Sequence, residues 1–201
     1  MGKAKLMAEL GVTKNKADEL FGVYHSKVPF VKQLTNKLMT AAQRNGKIKT
    51  ILNRKCRFPK YEPILKGNDW GRFVPAQDHE RMLELQAMGP YIKDEEGEFI
   101  KDKDGNKQKN YWHENDSRRA FTYKALNKLI QGSAADMTKK AMLDLYKEGI
   151  TPHIQIHDEL DISVESEEQA DKIKTIMENA VKLKIPNKVD YESGPNWGEI
   201  K

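Results

Sequence analysis

The chain has a single cysteine, Cys56, in 201 residues. An intramolecular disulfide and a thiolate metal cluster are both excluded, and a reducing, cytoplasmic compartment is the setting that fits. Long apolar runs are missing as well. Nothing approaches the ~18–20 residues that cross a bilayer, and Met1-Gly-Lys-Ala-Lys5 does not lead into the apolar core of a signal peptide. The five histidines, at 25, 79, 113, 153 and 157, lack His-Glu-x-x-His or any comparable spacing, so no structural zinc is expected. Hydrophobic residues make up only 38% of the chain against 32% charged, which leaves a large solvated surface or a face covered by something else. The length is enough for one domain, or one and part of a second. A net charge of +5 and a pI near 9.0 favour polyanionic partners without naming one.

What is present begins with helices. Leu6, Met7 and Leu10 precede Gly11, a helix stop, and Thr13 can cap a second helix through Ala17, Leu20, Phe21 and Tyr24. Pro29 opens a third, with Val31, Leu34, Leu38 and Ala41 on one face and Asn45-Gly46 at its end. Ile48 to Phe58 reads as a basic hairpin turning at Asn53, and Pro59 closes it. Residues 60–117 read as an irregular polar insertion anchored by Trp70, Phe73, Tyr111 and Trp112, with a hairpin in which Glu98-Phe-Ile-Lys101 and Lys107-Gln-Lys-Asn110 flank Asp104-Gly105. A long helix is predicted from Ser117 to Lys147, ended by Gly149. No internal repeat or low-complexity tract is read.

Between Pro152 and Val164 the apolar residues Ile154, Ile156, Leu160, Ile162 and Val164 all carry even numbers. If one face of an antiparallel pair is buried, Ile156 must oppose Leu160 and Ile154 must oppose Ile162, leaving His157-Asp158-Glu159 as the turn. Ser166 with Gln169 forms a capping box for a helix that Pro186 breaks, and a short Val189-Asp-Tyr191 strand leads to Gly194-Pro-Asn-Trp197.

Two features invite chemistry. Consecutive carboxylates at a hairpin tip repel each other, and a divalent cation would relieve that repulsion; exposed acidic turns are also an ordinary surface feature. On the long helix, Arg119, Tyr123, Asn127 and Gln131 recur every four residues as one hydrogen-bonding stripe. Such a stripe suits the minor groove, where N3 and O2 acceptors recur in every base pair. A solvated helix face would look the same. The small residues of Gln131-Gly-Ser-Ala-Ala135 would let a backbone or nucleic acid come close.

Arg119-Ala-Phe-Thr-Tyr-Lys-Ala-Leu-Asn-Lys-Leu-Ile-Gln-Gly-Ser-Ala-Ala-Asp136, followed by Ile154-Gln-Ile-His-Asp-Glu-Leu160, strongly resembles the helix and third motif of family A DNA polymerases. Thr50-Ile-Leu-Asn-Arg-Lys-Cys-Arg-Phe-Pro59 resembles that family's Gly-Arg-Arg hairpin. Gly194-Pro-Asn-Trp197 resembles its C-terminus, especially in phage enzymes, and Met1 to Val12 resembles the stretch after its fingers helix. The resemblance implies an α+β fold from the C-terminal part of the polymerase right hand: trailing fingers helices and a basic hairpin over 1–59, an insertion over 60–117, and a palm with an antiparallel catalytic hairpin over 118–201. It implies Asp158 as the metal-binding carboxylate, Glu159 as its acidic neighbour and His157 near the primer end. Asn127 and Gln131 would lie at the minor groove and Arg54 near the DNA backbone, with Arg119 at the head of the stripe. The family often has arginine where Tyr123 stands, so no role passes to that position. Two magnesium ions, primer–template DNA and a dNTP are the implied cofactors and partners.

The earlier carboxylate motif has no match here, so a complementary N-terminal half is the further partner implied. A subunit of a split polymerase, an inactive product of an interrupted gene, and a DNA-binding module without catalysis remain the three readings.

Overall fold

The computed structural model describes residues 3–199, which divide into two compact units. One holds the chain up to Ile48 and Lys55–Leu126; the other holds Lys49–Arg54 and everything from Asn127 on. The insertion thus belongs with the helices before it.

In the first unit, α1 (Lys3–Leu10), α2 (Lys14–Lys27) and α3 (Pro29–Asn45) follow in sequence. The Thr13 hydroxyl accepts the Lys16 amide, Pro29 occupies the first turn of α3, and Gly46 ends it in the left-handed conformation at φ 65°. Strands β1 (Lys47–Lys49) and β2 (Lys55–Arg57) pair across a turn that contains Asn53 at φ 65°. Each was expected, and each has a local cause.

The insertion is closed at its base by β3 (Tyr61–Pro63) and β4 (Ser117–Arg119), antiparallel with Tyr61 opposite Arg119 and Pro63 opposite Ser117. This pairing corrects the long helix: Ser117 caps nothing, because its segment is a strand. Ala120 still donates to the Lys60 carbonyl at 2.8 Å, Phe121 turns through φ 61°, and α5 begins only at Ala125, running to Lys147. Gln43 of α3 acts as a surrogate neighbour for the strand, accepting the Arg119 amide at 2.9 Å and donating to the Arg119 carbonyl at 2.8 Å and the Thr122 hydroxyl at 2.9 Å.

The insertion has its own small core. Helix α4 (His79–Ala87) turns Met82 and Leu85 onto Trp112, with Tyr61, Val74, Met88 and Ile92 around them. Buried Asn110 ties this core together, donating to the carbonyls of Leu85 at 2.6 Å and Gly89 at 2.7 Å while accepting the Trp112 amide at 3.0 Å. Trp112 is an anchor as expected. Trp70 and Phe73 are not, at 80% and 87% exposed.

An internal repeat, unread in the sequence, also emerges. Ile92-Lys-Asp-Glu-Glu-Gly97 is echoed eight residues later by Ile100-Lys-Asp-Lys-Asp-Gly105. In both copies one aspartate oxygen accepts two backbone amides, Asp94 from Glu96 and Glu98, Asp102 from Asp104 and Asn106. The backbones close in a ring: Ile100 donates to Ile92, Gln108 to Ile100, and Ile92 back to Gln108, at 2.8–3.0 Å.

In the second unit α5 is followed by β5 (Ile154–Ile156), β6 (Glu159–Asp161) and α6 (Glu167–Asn179). Buried Ala141, Leu145, Ala170, Ile173 and Val181 form its interior. Half of the expected capping box is present, Ser166 accepting the Gln169 amide at 3.2 Å; the Gln169 side chain accepts the amide of Glu165, one residue before the cap, at 2.7 Å. Helix α6 ends well before Pro186. The Val189 amide folds back to the Glu178 carboxylate at 3.1 Å, and residues 189–191 carry no strand.

Candidate nucleic-acid and metal site

The hairpin β5–β6 pairs Ile154 with Asp161, Gln155 with Leu160 and Ile156 with Glu159. The register differs by one residue from the expectation, and the turn is His157-Asp158 alone. Two-residue loops match the right-handed twist of the flanking strands, and that preference outweighs the parity of the apolar residues. His157 accepts the cost at φ 52°; histidine is among the side chains that tolerate the left-handed region. The Gln155 side-chain amide donates to the His157 carbonyl at 2.8 Å and braces the turn. Beyond the ladder, the His153 amide donates to the Asp161 carbonyl at 2.9 Å, and the His153 ring and Ser163 hydroxyl are 3.0 Å apart. The outcome is an exposed Asp158 carboxylate at the tip of a short hairpin fixed by backbone pairing on both sides.

On α5 the four-residue stripe shrinks to two members. Asn127 and Gln131 share one exposed helix face, with exposed Ala134 and Ala135 beside Gln131. Tyr123 lies in a single 3₁₀ turn and Arg119 in β4, so neither continues the face. The Arg119 guanidinium is occupied within the first unit, donating to the Phe58 carbonyl at 3.0 Å and lying 5.0 Å from the centre of the Tyr61 ring.

Arg54 is also engaged internally. Its Nε donates to Oδ1 of Asp136 at 2.6 Å and its Nη2 to the Gly132 carbonyl at 2.7 Å. Asp136 is the site residue that sequence reasoning passed over. Its side chain is 5% exposed. Burial pushes its pKa up, but the Thr50 hydroxyl, the Arg54 bond and charge, and the Leu52 amide outweigh it and hold the carboxyl below its ordinary value. The available signal was an aspartate in a run of small residues, one helical turn beyond Gly132. The structure thus sets Arg54 against α5, leaves Asn127 and Gln131 exposed on that helix, and presents His157-Asp158 on the hairpin.

The profile of DNA polymerase family A matches residues 1–199. The chain belongs to that family. A DNA-directed DNA polymerase of Pseudomonas phage M6 is 32% identical over 179 residues, covering 89% of this chain and 19% of that protein. DNA polymerase I of Geobacillus stearothermophilus is 28% identical over 206 residues, covering 98% and 18%. The chain therefore spans less than a fifth of the length of these family A relatives. The POL domain of Pol1 from M. smegmatis, solved in complex with DNA primer-template and dNTP, shares the fold with a TM-score of 0.56 over 93% of this chain and 26% of its own, at 19% identity. The α+β fold expected from the family resemblance is the fold observed. Among the described residues, no helix is long and apolar enough to cross a membrane.

Proposed function

We propose that this chain supplies the primer-terminus side of the catalytic centre of a template-dependent DNA polymerase, with Asp158 as its metal-binding carboxylate. The observation that carries the reading is the hairpin tip: in a family A member, an exposed carboxylate stands in a two-residue turn fixed by pairing on both sides. Glu159 stands beside it as the first ladder residue, so the tip itself carries one carboxylate.

The donor set fits magnesium in a limited way. Among the described residues no three His, Cys, Asp or Glu side chains gather into a metal cage. Magnesium, however, commonly takes only one or two protein carboxylates and completes its shell with phosphate and water. Asp158 would hold such ions, with Glu159 supporting the charge balance. When bound, a pair of them would activate the primer 3′-hydroxyl and neutralise the triphosphate.

The remaining roles belong to the protein. Asn127 and Gln131 donate from their side-chain amides to the minor-groove acceptors that every base pair presents, which favours paired DNA of any sequence. His157 approaches the primer end. The boundaries of fingers, insertion and palm at 59/60 and 117/118 remain part of this reading. The second carboxylate and the groups that hold the dNTP come from the preceding half of the polymerase, whether carried on the same chain or a separate one. Primer–template and dNTP are partners of that assembly.

The test has two arms. The chain alone should not extend a primer, and in the completed enzyme Asp158→Asn should reduce incorporation by about 10²–10³ or more at saturating magnesium while primer–template binding persists. Glu159→Gln should be milder. Near-normal turnover by Asp158→Asn would remove the catalytic assignment and favour a module that only binds DNA.

A further inference from the structure

A polar cluster around buried Asp136 lies on the opposite side of α5 from the residues assigned to DNA. Arg54 reaches both Asp136 and the Gly132 carbonyl, and the Ile51 amide donates to the Ser133 hydroxyl at 3.1 Å. The segment Lys49–Arg54 is thus tied to three positions of the helix, at 132, 133 and 136. At 100° per residue these positions centre roughly 150° or more around the axis from Asn127 and Gln131. Burial agrees with the geometry: Asp136 is buried and Gly132 and Ser133 are half-buried, whereas Asn127 and Gln131 are exposed.

This stretch of helix needs a tie. Gln131-Gly-Ser-Ala-Ala135 contains glycine, which costs about 1 kcal/mol relative to alanine in a helix, and serine, also a weaker former. Its small side chains offer little packing of their own. The stretch that presents Gln131 therefore gains from a tie outside the helix.

We propose that Asp136 is a positioning residue: by holding Arg54 it fastens the 49–54 segment along the buried face of α5 and fixes the direction in which Asn127 and Gln131 leave the opposite face. The role of Arg54 in this scheme is an internal clamp, in place of the DNA-backbone contact implied by family resemblance. The proposal rests on the polymerase reading above for the purpose of that positioning, but the clamp itself can be tested without it.

In the chain alone, amide hydrogen exchange over residues 127–136 should accelerate about tenfold or more in Asp136→Asn and in Arg54→Ala. Unchanged exchange in both overturns the clamp. Should Asp136→Asn fail to fold, Arg54→Lys serves in its place, since it keeps the charge but lacks the rigid fork whose Nε and Nη2 reach Asp136 and Gly132 separately.

In the completed polymerase, Asp136→Asn should slow extension from the primer terminus about tenfold, and adding it to an Asn127→Ala/Gln131→Ala variant, from which both positioned side chains are gone, should slow that variant no further. Losses that multiply would mean that Asp136 acts only on general stability, and the positioning role falls. If exchange accelerates as expected yet Gln131→Ala leaves primer-terminus kinetics untouched, the minor-groove reading has failed, and positioning fails with it.

Discussion

Replacing Arg54 with alanine removes the charged partner of a carboxylate that is 5% exposed, and with it the bond to Gly132. Breaking a fully buried ion pair from one side costs about 3–5 kcal/mol, because the survivor is left buried and uncompensated. Arg54 is itself 46% exposed, so water screens its attraction for Asp136 and the upper figures do not apply. The applicable scale is that of a buried polar group losing its hydrogen bond, about 1–3 kcal/mol. The pH dependence has a definite sign. The pKa of Asp136 is lowered in the folded state, so its contribution is fully present above the ordinary carboxylate value of 3.8 and fades as the pH falls through the lower folded value. Arg54→Ala removes two of the influences that lower it. The gap between wild type and variant should therefore be widest near neutrality and narrow in acid. Urea unfolding of both chains, from neutral pH down through the carboxylate range, measures it. A gap below about 0.5 kcal/mol at neutral pH, or one that widens in acid, would refute the reasoning.

Trp112→Ala removes the largest buried side chain of the insertion core and should cost about 3–5 kcal/mol, read from urea unfolding with loss of near-ultraviolet circular dichroism; a cost under about 1 kcal/mol would mean the core is not built on it. Gly46→Ala places a Cβ in the left-handed region at φ +65° and 2.7 Å from Cζ of Arg119, which must leave its place against the Phe58 carbonyl. The expected cost is about 1–3 kcal/mol in thermal unfolding, and a neutral substitution would show that neither the conformation nor the Arg119 contact matters.

Much of the fold was legible because its causes are local. Thr13, Pro29, Gly46 and Asn53 mark boundaries through capping, fixed φ or tolerated positive φ, and a reader needs no other part of the chain to place them. The start of α5 is different. Residues 117–124 have helical periodicity, but Lys60 to Pro63 claims 117–120 as a ladder, and Gln43 completes the missing side. Sequence separation hides such a decision, since the partner lies more than fifty residues upstream. Helix α4 was missed for another reason: only Met82 and Leu85 of its nine residues are buried, too few to stand out as a periodic stripe. The repeat at Ile92 and Ile100 was missed because its signal is an aspartate turn with glycine, and turn chemistry by itself carries no apolar period.

The site turned on a single question of parity. An unbroken set of even-numbered apolar residues suggests one buried face, and a three-residue turn keeps even opposite even. A two-residue turn sets even opposite odd: Ile154 and Ile156 share a face with Glu159 and Asp161, and Leu160 faces with Gln155. The backbone twist that favours the shorter loop is a property of any hairpin, so the side-chain pattern could not reveal that it would win. The difference bears on chemistry. In the three-residue turn, Asp158 and Glu159 would both be loop carboxylates with equal claim to a cation. In the observed turn Glu159 is the first ladder residue, opposite Ile156, and only Asp158 remains outside the ladder at the tip. The register thus separates two carboxylates that are adjacent in sequence. It gives a structural reason for the unequal effects expected of Asp158→Asn and Glu159→Gln, independent of any family resemblance.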